Sequence, residues 1–408
     1  MHGIRTNQRV FAYCHDSVGI GHLRRTLNIC DRIGALHPDA SFLLATGTPY
    51  VSCFSASAHV DCIKLPALTK EDNGTYRSKF LALPLERLMR CRESLLRDAA
   101  EHFDPGVLLI DKAPLGVCCE LVPTLRWLRR HRPDVRVVFG MRDIEDDPQA
   151  TIAQWAHDRV PQMLEDCFDE VWVYGMREVF DVAEQYRLSR GIQDKLRFMG
   201  YVSRGTCAHA PAQLGGAPEV LVTVGGGTDG ERVLEAYLAE AAAQVARLGA
   251  HSTVIGGPDL PPVAAARLGA LAARMPGVTW RDFEPCMTCR IRQADFIVSM
   301  GGYNTLCELA AAGKPALVIP RTKPRLEQTI RARLWEQLGV VRTLPQAELT
   351  PGALAQRVVE LLERGPSLTN SRLDLRGLER IAERFAEFWD GSPADTGAEG
   401  QHATAVCM

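Results

Sequence analysis

Apolar and polar positions along this chain switch repeatedly between two periods. Residues 9–14 (RVFAYC) form a short apolar run with β-branched and aromatic character. Leu23, Leu27, Cys30 and Ile33 then recur at helical spacing, with Arg24, Arg25, Asp31 and Arg32 on the other face. Further strand-like runs fall at 41–46, 60–65, 107–111, 135–139, 170–174 and 196–199, and the pattern predicts a long helix over 81–102. The segment 200–218 is rich in Gly, Ala and Pro without a period, and reads as an interdomain linker. A second series follows, with strands at 220–224, 252–255, 278–281, 295–299 and 316–319. Its helices lie near 231–248, 263–274, 305–312, 327–338 and 351–364. Leu378, Ile381, Phe385 and Phe388 mark a last amphipathic helix, and from 391 the composition of a loose tail sets in.

Strands alternating with helices mean βαβ units and parallel sheets covered on both faces. The expected fold class is α/β, with two doubly wound Rossmann-like domains facing across a cleft. The boundaries are 1–205, 206–370, a helix at 371–390 and a flexible tail at 391–408. In open parallel sheets ligands bind beyond the carboxyl ends of the strands, so the loops that follow strands are the candidates for chemistry.

Composition narrows the function. With 408 residues, two to three domains are expected at ~150 residues each. Hydrophobic residues at 46% and charged residues at 24% exclude a disordered or fibrous chain. Lys+Arg 47 against Asp+Glu 49 leaves no electrostatic case for nucleic-acid binding. No apolar run approaches the ~20 residues that span a bilayer, and residues 1–7 lack the apolar core of a signal peptide, so a cytoplasmic location is expected. Thirteen cysteines, an odd number at irregular spacings, predict buried free thiols, with Cys30, Cys118, Cys119 and Cys307 in apolar helical patterns. The CxxC at 286–289 has no second pair at zinc-binding distance, and no metal site is expected.

Three loops carry candidate chemistry. The first, HDSVGIGHLRR at 15–25, follows the first strand. Gly19 and Gly21 permit a tight turn that, with the helix N-terminus, can receive an anion. His22 at the helix opening can take a proton from an attacking hydroxyl. His15 shares the loop, and Asp16 either orients a histidine or serves as a turn residue; packing alone is the alternative for both histidines. Asp111, after another strand, is a second candidate base. The second loop, VGGGTDG at 224–230, offers Gly225, Gly226 and Gly227 as a backbone nest for a diphosphate, with Thr228 as a hydroxyl contact or cap. It is neither a Gly-Lys-Ser/Thr loop nor a GxGxxG fingerprint. In the third, at 299–333, Gly301 and Gly302 end a strand and Glu308 lies one turn into the next helix. A carboxylate there can accept two hydrogen bonds from a ribose diol, while Thr305 and Gln328 can hold phosphate or sugar hydroxyls.

Gly301-Gly302-x-x-Thr305-x-x-Glu308-Leu309-x-x-x-Gly313-x-Pro315, followed by Glu327-Gln328, resembles the donor half of MurG-type glycosyltransferases of the GT-B fold. The loop with Gly19, Gly21 and His22 is similar to their N-terminal glycine-histidine loop. The HDxxGxGH opening and GMRD at 140–143 resemble a bacterial group of predicted glycosyltransferases. The resemblance implies transfer, with inversion and without a cofactor or metal, of a hexose or N-acetylhexosamine from a nucleotide sugar. The implied donor is a UDP-hexose or UDP-N-acetylhexosamine, with a hydroxyl acceptor of unknown identity. It further implies ribose on Glu308, uracil against the backbone of Phe283, diphosphate near Gly225–Gly227 and Gly301–Gly302, donor sugar on Glu327 and Gln328, and His22 as base. The last helix would cross back to the first domain. The acceptor motifs of MurG are not recognisable, which counts against a peptidoglycan lipid. A same-fold hydrolase or epimerase and a non-catalytic nucleotide-sugar binding protein are the alternatives; Tyr303-Asn304-Thr305 after the glycine pair departs from the epimerase pattern. The basic run at 126–136 suggests a peripheral membrane contact as a minority reading.

Overall fold

A computed structural model describes residues 8–15, 21–51, 59–71, 75–204, 216–364 and 372–390. Asp16, Gly19, most of the linker and the tail from 391 lie outside the described residues.

The first sheet contains seven parallel strands: β1 (Arg9–Cys14), β2 (Ser41–Thr46), β3 (Val60–Lys64), β6 (Val107–Asp111), β7 (Arg136–Arg142), β8 (Glu170–Tyr174) and β9 (Leu196–Phe198). Their spatial order is β3-β2-β1-β6-β7-β8-β9. An antiparallel pair, β4 (Leu68–Lys70) with β5 (Tyr76–Ser78), forms a separate small sheet and has no clear signal in the sequence pattern. The second sheet is also parallel, with β10 (Glu219–Thr223), β11 (His251–Ile255), β12 (Val278–Arg281), β13 (Phe296–Ser299), β14 (Ala316–Val318) and β15 (Arg342–Thr343). It is ordered β12-β11-β10-β13-β14-β15.

Each order reverses once, between β1 and β6 and between β10 and β13. At such a switch point the flanking connections leave to opposite faces and open a crevice at the strand ends. The expected strands differ from the observed ones mainly at their ends. The helix expected at 231–248 is interrupted by a π-type turn at Tyr237–Ala241.

The two sheets are closely joined. One continuous apolar cluster includes Val10, Leu27 and Trp172 from the first and Leu221, Leu306 and Trp335 from the second. The Tyr303 hydroxyl, at the start of helix Tyr303–Ala312, donates to the Tyr174 carbonyl (2.9 Å) and accepts from the Val202 amide (3.1 Å). Arg331 is fully buried and donates to both oxygens of Asp143 at 2.7–3.0 Å across the domain boundary. Helix Gly377–Asp390 packs on the first domain. Trp172 meets Phe385 edge-on at 5.6 Å, His37 meets Trp389 at 4.7 Å, and Arg384 pairs with Glu170.

The cysteine expectation holds for Cys30 and Cys307, which are buried, and fails for Cys118 and Cys119. Those two are exposed because both take positive φ (50° and 65°), in a short 3-10 turn instead of a packed helix. Cys286 is free, and its Sγ lies 3.0 Å from Sγ of Cys289, a contact longer than the ~2.05 Å of a disulfide bond.

Candidate active site

Both switch points open onto one cleft. His22, Arg24, Arg25 and Arg142 from the first domain line the same cavity as Gly225, Gly226, Phe283, Gly302, Thr305, Arg321 and Gln328 from the second. A smaller adjoining cavity is bounded by Gly225–Gly227, Thr228, Gly302 and Thr305. The cavities measure about 230 and 160 Å³. The walls approach closely, with Asn304 Nδ2 donating to the Gly21 carbonyl at 2.8 Å.

On the first side, β1 runs into helix Gly21–Leu36, which carries His22 and Arg25 one turn apart on one face. β6 ends at Asp111 beside them. Oδ2 of Asp111 lies 2.7 Å from Nδ1 of His22. Arg25 donates from Nε (2.9 Å) and Nη2 (2.8 Å) to Oδ1 of the same carboxylate. Burial alone would push the Asp111 pKa up, but Arg25 and His22 outweigh it and hold the group below the usual carboxylate range. An ionised carboxylate has no proton to offer, so the Asp111 contact puts the hydrogen on Nδ1 and leaves Nε2 its lone pair; Arg25 Nη2, 2.9 Å from Nδ1, directs its hydrogens to the two Asp111 oxygens at 2.8 Å. Burial lowers the His22 pKa from 6.5 to about 4 against the opposing pull of Asp111, leaving a neutral imidazole near pH 7. His15 stands edge-on to His22 at 6.1 Å, and burial lowers its pKa as well.

Arg25 itself is 2% exposed and sits between the rings of Tyr174 and Tyr303, each 5.3 Å away. The apolar spacing places it on the face opposite Leu23, Leu27, Cys30 and Ile33. The carboxylate that draws it inward belongs to a strand 86 residues away. Its position three residues after His22 was the available signal.

On the second side, glycine is required by the backbone. Gly227 has φ of 101°, and a Cβ there would stand 2.6 Å from the Gly256 carbonyl oxygen. Gly301 has φ of 75° and would meet Val318 at 2.5 Å. Gly225, Gly226, Gly227 and Gly302 from these turns line the cavities, while the Gly225 and Gly301 amides bond Thr223 and Ser299. Helix Tyr303–Ala312 has Gly302 as its N-cap with no side-chain capping bond, so its first-turn N–H groups face the cleft uncapped. Gln328 accepts from the Arg321 amide at 3.2 Å.

Two expected donor residues take other surroundings. Glu308 is 6% exposed and not among the residues lining the cavity. It lies 3.5 Å from Arg24 of the first domain, and burial raises its pKa against Arg24 and Arg204. Glu327 is 1% exposed and paired with Arg321 (2.7 Å) and Arg142 (3.8 Å), away from the cavity lining. Burial opposes its ionisation, but Arg142, Arg321 and Arg331 bring its pKa down to about 2. Arg142, in the GMRD stretch, and Arg321, which no motif marks, are both cavity residues.

Part of the basic run is committed to bonds within the protein. Arg129 donates to the Cys167 carbonyl and to Asp169, and Arg132 pairs with Asp134. Among the described residues no helix is long and apolar enough to cross a membrane.

Residues 220–385 match the glycosyltransferase family 28 C-terminal domain. A UDP-N-acetylglucosamine--N-acetylmuramyl-(pentapeptide) pyrophosphoryl-undecaprenol N-acetylglucosamine transferase of Syntrophotalea carbinolica is 33% identical over 162 residues. That match covers 39% of this chain and 44% of the relative, so the chain spans less than half of that relative's length. Among solved structures, MurG of Acinetobacter baumannii aligns with a TM-score of 0.51 at 13% identity, covering 93% of this chain and 94% of the other. A Listeria monocytogenes protein described as a UDP-N-acetylglucosamine 2-epimerase aligns at 0.61 and 11%, covering 95% and 98%. At these identities the structures establish the fold, the two-domain GT-B architecture.

Proposed function

We propose that this chain, a MurG-like protein whose residues 220–385 form a glycosyltransferase family 28 C-terminal domain, transfers a hexose or N-acetylhexosamine from a UDP-sugar to a hydroxyl acceptor. One observation carries the reading: His22, held from behind by Asp111, and the glycine-lined strand ends of the second domain face a single cavity. The donor diphosphate lies against the peptide N–H groups near Gly225–Gly227 and at the uncapped start of helix Tyr303–Ala312, which favour negative charge. Thr305 and Gln328 reach phosphate or sugar hydroxyls. Phe283 flanks the base, and Glu308 takes the ribose diol after exchanging its contact with Arg24.

The acceptor enters from the first domain. Nε2 of His22 removes its hydroxyl proton as the oxygen attacks the anomeric carbon. The C–O bond to the diphosphate breaks with its electron pair on the leaving phosphate, and attack from the opposite face inverts the carbon. Asp111 acts through His22: it fixes the ring and stabilises the imidazolium that forms. The charge on the leaving group is met by oriented N–H dipoles, so the step invokes no metal. A location at the cytoplasmic face of a membrane fits a lipid-borne acceptor.

Thermal melting with UDP, GDP, dTDP, ADP and UMP tests the donor site. A ligand at ~100 times its dissociation constant adds ~2.7 kcal/mol to the folded state. A UDP-selective shift that is lost in Glu308→Ala is expected. Absence of a shift with any nucleotide would overturn the donor assignment.

A further inference from the structure

Arg142 ends β7, one strand beyond the switch point, and lines the cavity that holds His22. Its side chain is 12% exposed, yet it makes no hydrogen bond to another described residue, and its Nε is buried without a partner. The nearest carboxylate oxygen, Oε1 of Glu327, is 3.8 Å away and already accepts from Arg321 at 2.7 Å. The other buried guanidiniums nearby differ. Arg25 and Arg331 each hold an aspartate with two nitrogens.

A guanidinium presents five N–H donors, and water or a carboxylate normally fills them. Here burial lowers the pKa to about 10, Glu327 and Asp143 oppose that shift, and Arg331 and Arg25 reinforce it. The surrounding fold therefore holds this cation at a cavity wall without supplying its acceptors. The same cavity is bounded by Gly225, Gly226, Gly302 and Thr305, groups suited to an oxyanion.

We infer that Arg142 is a substrate-recognition residue whose unfilled donors take a phosphate-type oxyanion in the cleft between His22 and the glycine turns. The oxyanion comes either from the donor's diphosphate or from an anionic group on the acceptor. Only the first source rests on the donor reading above.

The test compares the full chain with Arg142→Met and Arg142→Lys by titration with inorganic pyrophosphate, UDP and uridine. Arg142→Met is expected to bind pyrophosphate at least tenfold more weakly and Arg142→Lys to lose less. The melting temperature of Arg142→Met should hold or rise, because an unbonded buried charge has been removed. A parallel loss for UDP with uridine unchanged assigns the donor's diphosphate. Unchanged UDP affinity, with loss of pyrophosphate binding to the UDP-saturated protein, assigns the acceptor's anion. Equal pyrophosphate affinity in wild type and Arg142→Met overturns the inference while UDP binding keeps the donor reading. Wild-type binding of pyrophosphate but of no nucleotide sinks the donor reading and leaves Arg142 to be judged by its variants. No pyrophosphate binding by the wild type also overturns the inference.

Discussion

Nδ1 of His22 and Oδ2 of Asp111 lie 2.7 Å apart although 89 residues separate them in the chain. Their strand ends are neighbours only because the first sheet reverses its order between β1 and β6.

That pairing predicts a division of labour. His22→Ala should lower turnover by about 10²–10⁴, the range for loss of a general base. Asp111→Asn should lower it comparably, since an amide can stabilise the wrong tautomer. Both variants should melt with UDP as the wild type does. Equal loss of UDP binding and turnover in His22→Ala would place the residue in donor binding instead.

Acid should destabilise the fold through His22 before the carboxylates protonate. Above pH 6.5 neither state holds the proton. As pH falls from 6.5 towards 4, the unfolded chain binds it first, so the folded state loses about 3 kcal/mol over that window. His15, also lowered, adds to the slope with the same sign. Denaturant unfolding of wild type and His22→Asn at pH 7 and pH 5 checks this. The variant should show the flatter dependence, and an unchanged slope would refute the assignment.

The Asp143–Arg331 pair joins the domains without access to water. Asp143→Ala strands a fully buried guanidinium and should cost ~3–5 kcal/mol. The double variant Asp143→Leu with Arg331→Met, which removes both charges, should recover most of the loss. Denaturation midpoints of the two variants decide it: a double variant as weak as the single would show that packing, not charge, holds this boundary.

The sequence made the two sheets legible because strand and helix periods alternate cleanly, and it placed His22, Gly225–Gly227 and Gly301–Gly302 at strand ends. Gly227 and Gly301 are legible as glycines because their turns exclude a Cβ. What the pattern could not supply are pairings between distant segments. Arg25 counts as polar in any helical period, and only Asp111 explains its burial. Glu327 reads as a helix-opening carboxylate suited to a sugar, yet it is buried away from the cavity lining with Arg321 on its Oε1. Cys118 and Cys119 follow apolar spacing into a turn whose dihedral angles no periodicity encodes.

Tyr303 has a consequence beyond its packing. Its hydroxyl uses its hydrogen on Tyr174 and a lone pair on Val202, so one atom is tied to the first sheet and to the segment that leaves it. The ring also stands at the first turn of the helix whose N-terminus faces the cavity. A change in the angle between the domains that preserves both bonds therefore pivots near this side chain. Points near it sweep short arcs, so Gly302 and Thr305 keep their distance from Arg25 while the outer rim of the cleft travels farthest.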